Sequence, residues 1–366
     1  MKKWLGRLAK IGFFLAAFIG VVVTVLFNMG GDNETLKGAI EDYISATSGY
    51  AARIRTFNKM TFFPNISLSM NDIALVKPNM NAMQKWAENE AQKPDNERGF
   101  TPPPIEFNYP DGKIEHFQVS VGFWDAAFGG AQKIKNLQIR NAEFNGGAIH
   151  HKPLNIERLG IDETADGKAF IGLKGNLGED EFSGGLDIKA VGSQKKPKYK
   201  LGEEGAFDFT IGKLEISGIM RPRSLGGMHL RDVRVIHNKE EIVNATFSFI
   251  REAAGNIKMK GEFEAIEFGS NGTFDWNILA DKNMQIVGDI EATLINTADF
   301  SEGSRIHNAL NEWDRIFKNP DIKSDNDKKA PIHNISVKAD ALKATSKTTA
   351  DFVGGATFDN NQLLFQ

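Results

Sequence analysis

The sequence predicts a mainly β protein: one N-terminal transmembrane helix, a short helix after it, a long series of antiparallel strands and one later amphipathic helix. Three observations carry that reading. A single uncharged apolar run, IGFFLAAFIGVVVTVLF from Ile11 to Phe27, stands near the start. Most of the remaining chain alternates apolar and polar residues with a period of two, the pattern of strands with one greasy face. Glycine reaches 36 and phenylalanine 27 against only 4 tyrosines, so turns are many and the aromatics carry few hydroxyls.

Composition excludes several classes. With 366 residues the chain is long enough for one large domain or two ordinary ones. A 41% hydrophobic and 25% charged content argues against wholesale disorder and against a polytopic membrane protein. The 44 basic and 47 acidic residues leave a net charge of −3, without the cationic surplus that binding nucleic acid requires. Cysteine is absent, which removes disulfides, cysteine-ligated zinc, iron–sulfur clusters and a thiol nucleophile.

The elements follow in chain order. As a helix, residues 11–27 cover roughly 26 Å, close to the hydrocarbon thickness of a bilayer. Lys2, Lys3, Arg7 and Lys10 precede the run, and Asp32 and Glu34 follow it. The positive-inside rule therefore places residues 1–10 in the cytoplasm and the body across the membrane. A cleaved signal peptide is the rival reading, but Phe27-Asn28-Met29 lacks a small-x-small cleavage site. Leu36, Ile40, Tyr43 and Ile44 then share a helix face that Gly49 ends. Ile66, Leu68 and Met70 alternate as a strand, with Ile73 and Leu75 after an Asn-Asp break. Residues 78–104 read as an inserted loop or linker containing a short helix around Met83 and Trp86, closed by Pro102-Pro103-Pro104.

From residue 105 to 366 strand patterns dominate. Phe117, Val119, Val121 and Phe123 alternate, as do Leu137 with Ile139, Ile171 with Leu173 and Leu186 with Ile188. Phe207, Phe209 and Ile211 repeat the pattern and change phase across Gly212-Lys213, as a bulge or tight turn requires. Ala245, Phe247 and Phe249, then Phe274, Trp276 and Ile278, continue it. Ile306, Leu310, Trp313 and Phe317 form a helical stripe before Asn319-Pro320. Four aromatics are followed closely by paired glycines: Phe128, Phe144, Phe182 and Phe352. Hairpin turns explain these, because glycine accepts positive φ without steric cost.

No catalytic or metal constellation emerges. The seven histidines show no ligand spacing; neighbours His150 and His151 would point to opposite faces of a strand and fit better on a loop. Glu179-Asp180-Glu181 reads as a solvated turn, and Lys195, Lys196, Lys198 and Lys200 as a surface loop. Catalytic residues, metals and cofactors are expected to be absent. An alternating sheet must still cover its greasy face. It either closes on itself as a filled core or stays open as a surface for apolar ligands.

A family resemblance bears on that choice. The order is anchor, helix ending Thr47-Ser48-Gly49-Tyr50, strand, then Phe63-Pro64-Asn65-Ile66-Ser67-Leu68 and Asn71-Asp72-Ile73-Ala74-Leu75. That order resembles the AsmA family, and KIKNLQIRNAEFN within Gln132 to Asn145 and the closing Phe352 to Phe358 stretch are similar to it as well. On this resemblance residues 28–77 correspond to the chorein/AsmA-like N-terminal helix and strands. The resemblance implies a bacterial inner-membrane protein with a periplasmic body, an elongated and curved antiparallel β-sheet groove related to chorein-type bridge proteins. It also implies phospholipid handling between membranes or support of outer-membrane homeostasis. The expected partners are phospholipids, the inner membrane and envelope proteins that complete a bridge. Candidate groove positions are then Leu68, Met70, Phe117, Val119, Val121, Leu137, Ile139, Phe207, Phe209, Ile211, Phe247 and Phe249. The alternative is a membrane-tethered, non-enzymatic scaffold with a filled core that assists outer-membrane protein assembly.

The charge asymmetry around the apolar run makes a direct prediction. A reporter fused after Gln366 is expected to be active only if it works outside the cytoplasm. Cytoplasmic activity of the fusion overturns the orientation.

Overall fold

The structure is a computed structural model. It describes residues 33–61, 65–94, 104–122, 134–148, 150–163, 169–191, 198–200, 204–223, 227–252, 256–279, 286–317, 334–344, 347–359 and 362–365. The chain is mainly β, and its strands form a large open sheet. In chain order the elements are α1 (Asn33–Ser48), β1 (Ala51–Thr61), β2 (Asn65–Val76), α2 (Met80–Gln92), β3 (Gly112–Gly122), β4 (Ile134–Phe144) and β5 (Leu154–Glu163). There follow β6 (Ala169–Leu177), β7 (Asp180–Val191), β8 (Lys198–Lys200), β9 (Gly205–Ile211), β10 (Leu214–Pro222), β11 (Met228–His237) and β12 (Glu240–Arg251). The series ends with β13 (Ile257–Ala265), β14 (Asn271–Ile278), β15 (Ile286–Asn296), a 3-10 turn η1 (Thr297–Phe300), α3 (Arg305–Phe317), β16 (Asn334–Ala344), β17 (Lys347–Asp359) and β18 (Gln362–Phe365). Among the described residues no helix is long and apolar enough to cross a membrane. The Ile11–Phe27 run, the basic segment before it, Phe128-Gly129-Gly130 and the lysines at 195 and 196 lie outside them.

The chain divides into two compact units. The first comprises Met1–Asp162, Leu173–Glu179 and Ala190–Lys200. Here β1, β2, β3, β4 and β5 pair consecutively and antiparallel. Helix α1 stops at Gly49, whose φ of 74° supplies the left-handed C-terminal turn. It lies antiparallel along β1, because Ser45 Oγ accepts from the Ala52 N–H and Glu41 from the Ile54 N–H. Burial pushes the Glu41 carboxyl above its ordinary range, partly offset by that N–H. Ile40 and Ile44 sit in one cluster with Ile54, Ile66, Leu68, Met70 and Phe117. Each isoleucine so buried is worth about 1.5–3 kcal/mol. The Asn-Asp break is a single Asp72 at φ 53° inside one continuous β2.

The second unit comprises Glu163–Gly172, Asp180–Lys189 and Leu201–Gln366. Here β7 pairs with β9, and β9 to β15 pair in sequence, all antiparallel. The phase change at Gly212-Lys213 is the tight turn between β9 and β10, where Ile211 stands opposite Leu214. Against the antiparallel expectation, β15 and β16 are parallel. The crossover through η1 and α3 returns the chain in the same direction, which a hairpin cannot do. Asp299, fully buried, accepts from the N–H groups of Phe268 and Ser270 at 2.9 and 3.0 Å and fixes the start of that crossover.

Two sequence readings need correction. The glycine pairs after Phe182 and Phe352 lie inside strands β7 and β17, not in turns. They stand opposite bulky neighbours, Gly184 facing Phe209 and Gly354 facing Val337, so they supply room. The pair after Phe144 does form a turn. Asp180 is no solvated turn residue: it is 8% exposed and bound by Arg315 through both guanidinium Nη atoms. Arg315 also reaches Glu312 through Nε and Nη2, each at 2.9 Å. These hydrogen bonds hold the Glu312 carboxyl below its ordinary 4.5.

That node sets an acid dependence. A depressed carboxyl stabilises the fold above its ordinary pKa and loses that contribution as pH falls through the lowered value. Arg315→Met is expected to cost about 1–3 kcal/mol, allowing for the half-exposed guanidinium, and to flatten the acid limb of the melting curve. Thermal melts from pH 7 to well below 4.5 read both. A variant that melts like the wild type at every pH shows that the node contributes nothing.

Candidate functional site

The register of the second unit gathers its apolar residues on one face in rows. One row runs Leu230, Phe247, Gly261, Phe274, Ile290, Val337 and Gly354 across successive strands. A second runs Met228, Phe249, Met259, Trp276, Gly288 and Ile335. A third runs Ala245, Phe263, Gly272, Ala292, Ala339 and Phe352. On β13 the alternation is clean: Lys258, Lys260, Glu262 and Glu264 are exposed, while Ile257, Met259 and Phe263 are half-buried.

Aromatic side chains face glycines along these rows. Phe207 stands opposite Gly218, Phe209 opposite Gly184, Phe263 opposite Gly272 and Trp276 opposite Gly288. Gly261 lies between Phe247 and Phe274, whose ring centroids are 6.3 Å apart. Two strand spacings separate their backbones by about 9.6 Å, so the rings lean toward each other over the glycine. A Cβ at Gly261 would overlap Phe247, and one at Gly218 would come within 3.2 Å of the Phe207 ring. Rings leaning over glycines make a low, continuous apolar relief. Interdigitation with a second layer would favour side chains that stand up from the sheet.

Coverage of the face varies along it. In the second unit Phe274, Ile290, Ile295, Val337 and Leu342 are buried, with Phe300 of η1 packed against them. Helix α3 contacts β10 and β12, where Leu214 and Ile242 are buried. A polar cleft of about 430 Å³ separates α3 from the strand ends, lined by Lys213, His237, Asn238, Arg305, Asn308 and Asn311 among others. Phe207, Phe209, Phe247, Phe249, Met259, Phe263 and Trp276 are only half-buried, and of these Phe247, Met259, Phe263 and Trp276 pack against that buried cluster. A second recess, about 930 Å³, is lined mainly by polar side chains that include Arg234, Asn244, Thr246, Glu262 and Glu264. Among the described residues no group of three potential metal ligands converges.

The twelve sequence-predicted positions fall into two sets. Leu68, Met70, Phe117, Val119, Val121, Leu137 and Ile139 are buried in the first unit, and all but Leu137 share the cluster under Ile40 and Ile44. Phe207, Phe209, Phe247 and Phe249 lie on the half-buried face of the second unit, and Ile211 is buried at its end. Sequence reasoning missed Gly218, Gly261, Gly272 and Gly288 as partners of the aromatics. Isolated glycines inside otherwise good strand patterns were the available signal. No family model, curated protein or solved structure matches the chain.

Close approach at Gly261 makes the row testable. Gly261→Val drives a branched side chain into Thr246 and Phe247, and is expected to cost at least about 2 kcal/mol. Chemical denaturation measures it. A cost below about 0.5 kcal/mol contradicts the ring-over-glycine packing.

Proposed function

We propose that this protein handles membrane phospholipids on the apolar sheet face of its second unit, tethered to the bacterial inner membrane by residues 11–27 with its body in the periplasm. One observation carries the reading: half-buried aromatics share one apolar sheet face, Phe207 and Phe209 of β9, Phe247 and Phe249 of β12, Phe263 of β13 and Trp276 of β14. Such a surface is costly in water, and acyl chains laid along it would remove that cost at roughly 25 cal/mol per Å². Low relief suits a flexible chain that slides along the sheet. The headgroup stays in water, so no catalytic group is needed and the proposed role is passive transfer. The AsmA-like order of elements at the N-terminus supports the same reading.

The experiment is lipid identification with a folding control. Full-length protein extracted in detergent is expected to retain phospholipid, detected by mass spectrometry. Phe209→Asp and Phe249→Asp place a carboxylate on half-buried positions, so each is expected to cost less than about 2 kcal/mol while bound lipid is lost. A wild type without lipid, or variants that unfold at both positions, overturns the open-face reading and favours a filled-core scaffold.

A further inference from the structure

Trp276 is the one side chain among the described residues with a buried polar atom that meets no partner: its Nε1 is closed off from solvent and reaches no acceptor. Native structures satisfy nearly all such groups, and each exception calls for an explanation. The surroundings supply none. Met259 and Gly288 flank Trp276 on the neighbouring strands, and the Phe274 ring lies 4.6 Å away. The adjacent carbonyls belong to strands paired on both sides, in β-ladder hydrogen bonds. An isolated water would find no second polar side chain in this row.

The orphan sits in the aromatic row assigned above to acyl chains. Resting on that reading, we infer that the Trp276 indole N–H donates to an ester carbonyl of a bound diacyl glycerolipid, fixing the junction of acyl chain and glycerol at β14. A neutral acceptor fits better than a phosphate. The nearby cations Lys258 and Lys260 pair with Asp275, which lies next to Trp276 in β14 and so on the opposite face. A charged phosphate at the indole would therefore be desolvated without a counter-ion. An ester carbonyl arrives attached to the hydrocarbon that the face already prefers. Ile286 and Ile290 flank Gly288 on that strand, so the N–H, closed off from solvent, meets the ligand only when the indole turns as the lipid docks. The hydrogen bond then sets the position of the lipid along the rows, which hydrophobic contact alone does not define.

The test compares two lipids that differ only in that acceptor. Full-length wild type and Trp276→Phe, both in detergent, are equilibrated with equal amounts of dioleoyl phosphatidylglycerol and its di-O-oleyl ether counterpart. The bound ratio is then read by mass spectrometry. Wild type is expected to retain the ester lipid roughly threefold to tenfold over the ether, the range of one net hydrogen bond. In Trp276→Phe the ratio is expected to fall to about one, with a melting temperature equal to or above that of the wild type. Equal retention by wild type overturns the inference and leaves the lipid reading intact. Persistence of the preference in the variant assigns it to another group and overturns the inference too. Retention of neither lipid by wild type removes the lipid reading and this inference together. The wild-type ratio decides even where the variant fails to fold.

Discussion

The constraint on which this structure depends is steric: large aromatic side chains share one face of a sheet with glycines directly across the ladder. Strands set about 4.8 Å apart leave too little room for a row of neighbouring rings to stand upright. With Gly261 between Phe247 and Phe274, the rings lean together to 6.3 Å. Replacing the glycine by a residue with a Cβ would push the strands or the rings apart. Glycine gives up conformational freedom in a strand interior, and the rings that cover it offset that loss.

Coverage of the apolar face follows from which elements the chain has to spare. In the first unit α1 supplies Ile40 and Ile44, and the strands beneath become a filled core. In the second unit the crossover between β15 and β16 supplies η1 and α3, which cover the ends of the face. Polar nodes hold those elements in place. Asp299 ties the crossover to the turn between β13 and β14, and Arg315 ties α3 to Asp180. On β13 the charged Lys258, Lys260, Glu262 and Glu264 alternate onto the opposite face, so a ligand lying across the rows meets few fixed charges.

The orphan indole is the exception within that apolar stretch. A strand position devoted only to packing is served better by phenylalanine, which carries no donor to satisfy. An N–H among rings and glycines costs stability in the empty protein and recovers it only when an acceptor arrives. Polar atoms of this kind confer position and selectivity on surfaces whose affinity is otherwise non-directional.

The sequence by itself determined the strand-rich class, the α1 and α3 helices and the alternation that puts Phe207, Phe209, Phe247 and Phe249 on one face. These follow from local periodicity, because the side-chain period is a property of the backbone alone. Only the tertiary structure decided which apolar residues are fully buried and which are half-buried. Leu68 and Phe209 look alike in sequence, yet the first lies under α1 and the second does not. Register across strands decided the rest: the glycines after Phe182 and Phe352 read as turns until their opposite neighbours, Phe209 and Val337, are known. Asp180 read as a solvated turn because its partner Arg315 is 135 residues away along the chain. Such pairings depend on the assembled sheet, and no local pattern encodes them.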